Sequence, residues 1–344
     1  MRLNPKTLRP MEARLVSALP EEGRWQFEPK WDGFRCLAFK TNGRVELRAK
    51  SGKTLTRYFP EIAADLARIK APRFVLDGEL LVPAGKHLSF DALQARLHPA
   101  ASRIEKLSRE TPALYMLFDL LMDADGRDFL AEPLSRRRAA LETFFKTVRR
   151  NARLRLSPIS RKLADAKTWL GRAGSGALDG VIAKPLDEPY VPGARAMLKV
   201  KCLRTADCVV GGFRYQTEGD QIGSLLLGLY NDEGKLDHVG FTSAISDDKR
   251  AALTRKLEAL RGGPGFTGDA PGGPSRWSTE RSAAWVPLKP KLVAEVRYDQ
   301  VTGERFRHGT KFLRWRPDKA PAQCTFDQLT REARPSVIIK RALE

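Results

Sequence analysis

The stretch Glu28-Pro29-Lys30-Trp31-Asp32-Gly33-Phe34-Arg35 constrains this chain more than any other. It sets one lysine, one acid, one glycine and one arginine within six residues, directly behind the apolar-aromatic run Trp25-Gln26-Phe27. Asp32 would ordinarily stabilise a nearby lysine as a cation. A surface turn holding a solvated ion pair, which contributes little, is the plain account of the hexapeptide alone. Further charged motifs follow it in a fixed order, each set in or beside an apolar run.

Those runs read mainly as strands. Residues 44–48 alternate behind the turn pair Asn42-Gly43. Ile62, Leu66 and Ile69 mark a short helix behind Pro60. Residues 74–82 form an apolar strand interrupted by Asp77-Gly78-Glu79, and Phe90, Leu93 and Leu97 suggest a helical face. Residues 113–121 are a buried strand carrying Asp119. A basic amphipathic helix is predicted over 134–150, with Leu141, Phe144, Phe145 and Val148 inward. Strands over 178–184 and Met197–Lys201 follow. Beyond Leu203-Arg204-Thr205 the texture changes to short, closely spaced strands. One helix interrupts them over 247–261, with Leu253, Leu257 and Leu260 on a face, and a Gly/Pro-rich loop covers 262–274. That pattern fits a small β-barrel, with an OB-fold as the natural candidate.

A chain of 344 residues is long for one core, so two domains are expected, over 1–203 and 204–344. Hydrophobic content of 42% with 30% charged residues describes a globular protein. No apolar run reaches membrane-spanning length and the N-terminus lacks a signal-peptide core, so a cytoplasmic protein is expected. Cys36, Cys202, Cys208 and Cys324 form no Cys-x-x-Cys and read as reduced, packed thiols. Lysines and arginines number 61 against 41 acids, a net charge of +20, which suits a polyanionic partner and favours nucleic acid. Histidines 87, 98, 238 and 308 are scattered and take no catalytic role.

Six motifs then stand in order: Lys30-Trp31-Asp32-Gly33-Phe34-Arg35, Asp77-Gly78-Glu79, Phe118-Asp119, Asp179-Gly180-Val181-Ile182-Ala183-Lys184, Lys199-Val200-Lys201 and Arg314-Trp315-Arg316-Pro317-Asp318-Lys319. The series resembles that of ATP-dependent DNA ligases, within the covalent nucleotidyltransferase superfamily. Arg57-Tyr58-Phe59-Pro60-Glu61 and Thr205-Ala206-Asp207-Cys208-Val209-Val210-Gly211-Gly212-Phe213 look most like the compact bacterial LigC-type repair ligases. The resemblance implies an α+β nucleotidyltransferase (adenylation) domain with antiparallel sheets and flanking helices, followed by an all-β OB-fold domain.

It also implies Lys30 as the nucleophile that takes AMP from ATP and releases pyrophosphate. At an ordinary pKa near 10.4, about one lysine in a few thousand is neutral at pH 7. Burial and the cations Lys199, Lys201, Arg35 and a bound metal would lower that pKa by up to ~3 units. By resemblance, Asp32 and Arg35 position the sugar and the nick ends, Glu28 stands on the adenine side, and Phe118 stacks on adenine. Glu79 contacts the nucleotide sugar and, with Asp179, holds Mg²⁺ or Mn²⁺. Lys184, Lys199 and Lys201 neutralise the transferring phosphate. Arg314, Arg316, Asp318 and Lys319 orient the leaving pyrophosphate, which calls for a flexible joint near 203–206. Lys50 stands where these ligases usually carry arginine, and Asp179 where glutamate is commoner; the first loses bidentate contact and the second shortens its reach.

The implied partner is nicked double-stranded DNA, with Ku or base-excision repair proteins beside a monomeric, nucleoid-associated bacterial enzyme. About two dozen residues precede the first motif, so no N-terminal clamp is expected. Two alternatives share part of the pattern. An RNA ligase or capping guanylyltransferase would share Lys-x-Asp-Gly, and a non-catalytic OB-fold protein would share the charge.

Overall fold

In the computed structural model the Lys30 stretch is the crossing between two sheets. The structure describes residues 3–85, 87–148, 153–173, 178–202, 204–243, 245–272, 284–299, 301–307 and 309–329, and the chain divides into two units after Cys202. The first unit opens with β1 (Ala13–Leu15), β2 (Trp25–Trp31), β3 (Phe34–Thr41), β4 (Arg44–Ala49), α1 (Pro60–Arg68) and β5 (Arg73–Leu81). A two-residue hairpin, β6 (Pro83–Ala84) and β7 (His87–Leu88), leads to α2 (Phe90–Ala95), α3 (Ala101–Glu110) and β8 (Leu114–Met122). Then come α4 (Leu134–Val148), β9 (Leu154–Leu156), α5 (Leu163–Arg172), β10 (Leu178–Pro185) and β11 (Met197–Lys201).

One sheet has the order β1-β11-β10-β2 and the other β4-β3-β5-β8-β9. Only Asp32 and Gly33 separate β2 in the first from β3 in the second. Gly33 is required there: a Cβ would lie 2.2 Å from the Leu80 carbonyl oxygen. Asn42 (φ 49°) and Gly43 (φ 79°) both take the left-handed conformation that a tight β3–β4 hairpin needs. β8 is buried at eight consecutive positions, as expected for a strand covered on both faces.

The structure corrects several expectations. β5 pairs continuously with β3 through Asp77-Gly78-Glu79; the irregularities lie on β8, where Phe118 is the extra residue opposite Asp77 and Gly78 and Leu121 the extra residue opposite Val75 and Leu76. α2 stops at Ala95, and Leu97 is exposed because Arg96 turns into the core. α3 and α5 are not among the expected elements; α3 buries only Ile104, and charged residues make up most of its remaining surface. α4 is described over Leu134–Val148 (149 and 150 lie outside the described residues), and its arginines 137 and 138 are buried.

The second unit contains β12 (Arg204–Tyr215), β13 (Ile222–Tyr230), β14 (Leu236–Thr242), α6 (Asp247–Glu258), β15 (Val286–Pro287) and β16 (Val293–Tyr298). A small hairpin, β17 (Val301–Thr302) and β18 (Arg305–Phe306), precedes β19 (Lys311–Trp315). The antiparallel order is β14-β13-β12-β16-β19. Thr310 N donates to Phe241 O at 3.0 Å, and Thr242 Oγ1 donates to Thr310 O at 2.9 Å, which brings the start of β19 against β14. This is the strand order of an OB-fold, with α6 between its third and fourth strands. The expected joint does not include Arg204, Thr205 or Ala206, which pair in β12 with Tyr298, Arg297 and Val296. Leu203 and the end of the 262–274 loop lie outside the described residues.

Arg96 pins α1, α2 and the start of β8 together. Fully buried, it donates to Glu61 Oε1 and Oε2 at 2.8 and 2.9 Å, and to the Tyr58 carbonyl at 2.8 Å. Glu61→Ala strands that guanidinium in the core and should lower stability by about 3–5 kcal/mol in a urea melt. A loss below about 1 kcal/mol would show that Arg96 finds other partners.

Candidate active site

Two β-bulges aim the chemistry. On β10, Leu178 faces Trp31 and Gly180 faces Lys30, so Asp179 is the extra residue. Gly180 takes φ +154°, and a Cβ on it would lie 2.0 Å from the Val200 carbonyl oxygen, so β11 runs very close. A bulge re-aims a side chain. Here it turns the Asp179 carboxylate toward the row formed by Lys30, Gly180 and Lys201 across the sheet. The neighbouring row is Glu28, Ile182 and Lys199. The second bulge, on β8, presents Phe118.

A cavity of about 180 Å³ gathers Glu28, Lys30, Arg35, Lys50, Glu79, Phe118, Lys184 and Lys199, walled on one side by the segment 10–13. A larger, open depression of about 950 Å³ beside α1 and α4 is lined by Ala139, Ala140 and Phe144 and contains none of these groups. Of the lining residues, Lys30 donates through Nζ to Asp179 Oδ2 at 2.5 Å, and Lys201 Nζ lies 3.2 Å from the same oxygen. Sequence reasoning surrounded Lys30 with cations; its direct partner is instead a carboxylate only 4% exposed. Burial, then the ammoniums of Lys30, Lys201 and Lys50, push the Lys199 pKa down. Lys50 pairs with Glu12 at 2.9 Å.

The other end of the cavity is assembled around Phe118. The Arg35 guanidinium carbon lies 4.4 Å from its ring centroid and the Lys184 ammonium 4.6 Å from it. Lys184 pairs with buried Glu28 at 2.8 Å, and Gln26 Nε2 donates to Glu28 Oε1 at 2.8 Å. Lys184 therefore contacts the expected adenine-side residues, whereas Lys201 contacts Asp179. Arg35 donates through Nε and Nη2 to Asp77 Oδ1 and Oδ2, both at 2.6 Å. Burial opposes its charge, but Asp77 outweighs burial and Arg35 stays protonated. Burial raises the Glu79 carboxyl to about 7, against the pull of Arg35 and Lys30. Asp32, in the β2–β3 crossing, is one of the charges that raise Glu79 further.

Arg314, Arg316, Asp318 and Lys319 form a cluster of their own in the second unit. Arg316 Nη1 donates to both oxygens of Asp207 at 3.0 Å, and its Nε and Nη2 engage Asp318 at 2.8–3.2 Å. Lys319 Nζ donates to Asp207 Oδ2 at 2.8 Å, and Arg314 Nε to Glu295 at 2.6 Å. Hydrogen bonding from Arg316 lowers the Asp318 carboxyl to about 2. Asp207 was not singled out from sequence, although an acid inside an apolar strand is a readable signal. Tyr190 and Met11, which touch Arg35 or its counterion, carried none. His238 is buried and pushed down to about 3 by that burial, and neither it nor His98 lines the cavity. The side chain of His87, and all of His308, lie outside the described residues. The described cysteines are free thiols.

No three His, Cys, Asp or Glu side chains among the described residues form a closed metal cage. Glu79 and Asp179 nonetheless offer hard carboxylate oxygens, the donor type suited to a Mg²⁺ that keeps its remaining positions for water and phosphate.

The chain matches known proteins over most of its length. Residues 10–201 match the ATP dependent DNA ligase domain, and 218–319 match the ATP dependent DNA ligase C terminal region. DNA ligase C1 of Mycolicibacterium smegmatis is 46% identical over 332 residues, covering 94% of this chain and 93% of that protein. DNA ligase C of Mycobacterium tuberculosis is 41% identical over 337 residues, covering 94% and 93%. A solved structure from a study of Lig E DNA ligases aligns with TM-score 0.55 over 89% of this chain and 100% of that one, at 15% identity, and so shares the fold. With the family model spanning more than half the chain and full-length relatives above 40% identity, this protein belongs to the ATP-dependent DNA ligases.

Proposed function

We propose that this ligase seals nicks in duplex DNA through a lysyl-AMP intermediate on Lys30. The amine attacks the α-phosphorus of ATP; a P–N bond forms and the P–O bond to pyrophosphate breaks. AMP then passes to the 5′-phosphate of the nick, and the 3′-hydroxyl displaces it to form the phosphodiester. The observation that carries this reading is the contact with Asp179 made by Lys30, which lines a cavity together with three further lysines. A lysine donating to a carboxylate is not a nucleophile, so attack requires that contact to break. Lys201 already shares the Asp179 oxygen and can hold the carboxylate once Lys30 leaves it.

The cavity has two ends with separate tasks. Glu28, Lys184 and Phe118 suit the adenine; Lys30, Lys199 and Lys201 suit the phosphates, whose developing charge they neutralise. Arg35 and Asp32 position the sugar and nick ends, Lys50 adds a point charge, and Arg314, Arg316, Asp318 and Lys319 orient pyrophosphate. Glu79 and Asp179 would hold a divalent cation, Mg²⁺ or Mn²⁺, which adds charge stabilisation at the phosphate. We further propose that residues up to 203 act as the adenylation domain and the OB-fold unit contributes to DNA binding. The enzyme would work as a bacterial, nucleoid-associated monomer, with Ku or base-excision repair proteins as partners. No described helix is long and apolar enough to cross a membrane.

Incubation with α-labelled ATP and Mg²⁺ should place one AMP on Lys30, with GTP inactive and Lys30→Ala unlabelled; label persisting in the mutant would remove the nucleophile. DNA affinity should drop about a thousandfold between roughly 50 and 200 mM salt if six or more phosphates are covered. A flat response would mean that the +20 charge serves another purpose.

Glu79 yields a stability prediction of opposite sign to its function. Its folded pKa of about 7 lies above the unfolded value near 4.3, so the folded state holds the proton longer. The penalty grows as pH rises through that window and is complete above pH ~7. Without nucleotide or metal, Glu79→Gln should therefore be roughly 1–3 kcal/mol more stable than the parent at pH ~8. The gap should narrow toward pH ~5, while lysyl-AMP formation is lost at either pH. A pH-independent gap would show that Glu79 is not ionising inside the fold.

A further inference from the structure

We infer that Tyr190 is a positioning residue for Arg35, closing a ring of hydrogen bonds that holds the guanidinium against the nucleotide cavity. The inference rests on the reading of Arg35 as part of the nucleotide site. Tyr190 lies on the connection between β10 and β11 and is only 3% exposed. Its phenol donates to Asp77 Oδ2 at 2.7 Å and accepts from the Met11 backbone N–H at 2.9 Å. Asp77 is fully buried and grips Arg35 through both oxygens. The ring closes where Arg35 Nη2 reaches the Met11 carbonyl at 3.4 Å.

Four groups from four separate segments are thus tied in one circuit: β3, β5, the cavity wall at Met11, and the β10–β11 connection. Each has a fixed role. The phenol uses its one proton on Asp77, so its oxygen is left to accept from Met11, and Asp77 is left to hold Nε and Nη2 of Arg35. Arg35 Nη1 has no hydrogen-bond partner among the described residues, so the locked guanidinium keeps one edge for a ligand while its carbon sits over Phe118. The Tyr190 ring is itself fixed from behind. Arg137 lies 5.6 Å from its centroid and is anchored on Asp119 at 3.0 Å. Water cannot replace the phenol, because Asp77 has no exposed surface.

The test is a double-mutant cycle read on single-turnover lysyl-AMP formation and on sealing of a pre-adenylylated nick. Tyr190→Phe removes one oxygen and keeps the ring. It should slow at least one of these reactions about tenfold in the parent, yet twofold or less in an Arg35→Ala background. Equal losses in both backgrounds would mean that Tyr190 only supports the fold, and no loss in the parent would likewise overturn the inference. If Arg35→Ala leaves both reactions unchanged, the reading of Arg35 falls and takes this inference with it; slow Arg35→Ala with additive Tyr190→Phe removes the tyrosine's role alone. Should Tyr190→Phe not fold, Asp77→Asn breaks the same circuit at its centre and should show the same non-additivity with Arg35→Ala.

Discussion

One buried carboxylate oxygen, Asp179 Oδ2, takes contacts from both Lys30 and Lys201, and it fixes where the amine of Lys30 stands. Without the bulge, the alternation of β10 would direct residue 179 to the face opposite Lys30 and Lys201. Gly180 makes the bulge possible because β11 passes where any side chain would sit. The backbone irregularity, the glycine and the acid are therefore a single device. It brings like charges together around an acid, and the acid is what lets three ammoniums occupy neighbouring rows of one sheet.

The same logic recurs deeper in the first unit. Arg35 with Asp77, Arg137 with Asp119, and Arg96 with Glu61 each place a guanidinium on a carboxylate inside the fold. Such pairs do not stabilise a protein relative to apolar packing of equal volume. They fix geometry, because breaking either partner leaves an uncompensated charge. Two of the three involve Arg35 itself or Asp119, the residue next to Phe118, where a misplacement of about an ångström would matter most.

Much of this was legible in the chain. The strands, the Asn42-Gly43 hairpin, the Pro60 helix and the barrel-like texture beyond residue 203 follow from periodicity and turn chemistry, and the motifs contain Lys30, Arg35, Glu79, Phe118, Lys184 and Lys199 of the cavity lining. What could not be read was which residue each would touch. Phe118 and Asp179 both sit at bulges, which leave no mark on apolar alternation. Lys184 lies in the same strand as Asp179, but its pairing with Glu28 depends on strand register. α3 is hard to read because its apolar stripe is short: Ile104 and Leu107 are the only large apolar residues among charged neighbours. Of the expected joint at 203–206, residues 204–206 belong to β12, because cross-strand partners about ninety residues away extend that strand to its first residue, which no local pattern announces.

The cluster around Arg316 has a consequence for how a polyanion meets this molecule. Arg314, Arg316 and Lys319 are matched one for one by Glu295, Asp207 and Asp318, so the segment is electrically silent at distance. A phosphate chain approaching the barrel feels no pull from these three cations until an acid lets go of one. Attraction of nucleic acid must then come from the unmatched lysines and arginines elsewhere, leaving this segment uncommitted until contact is made.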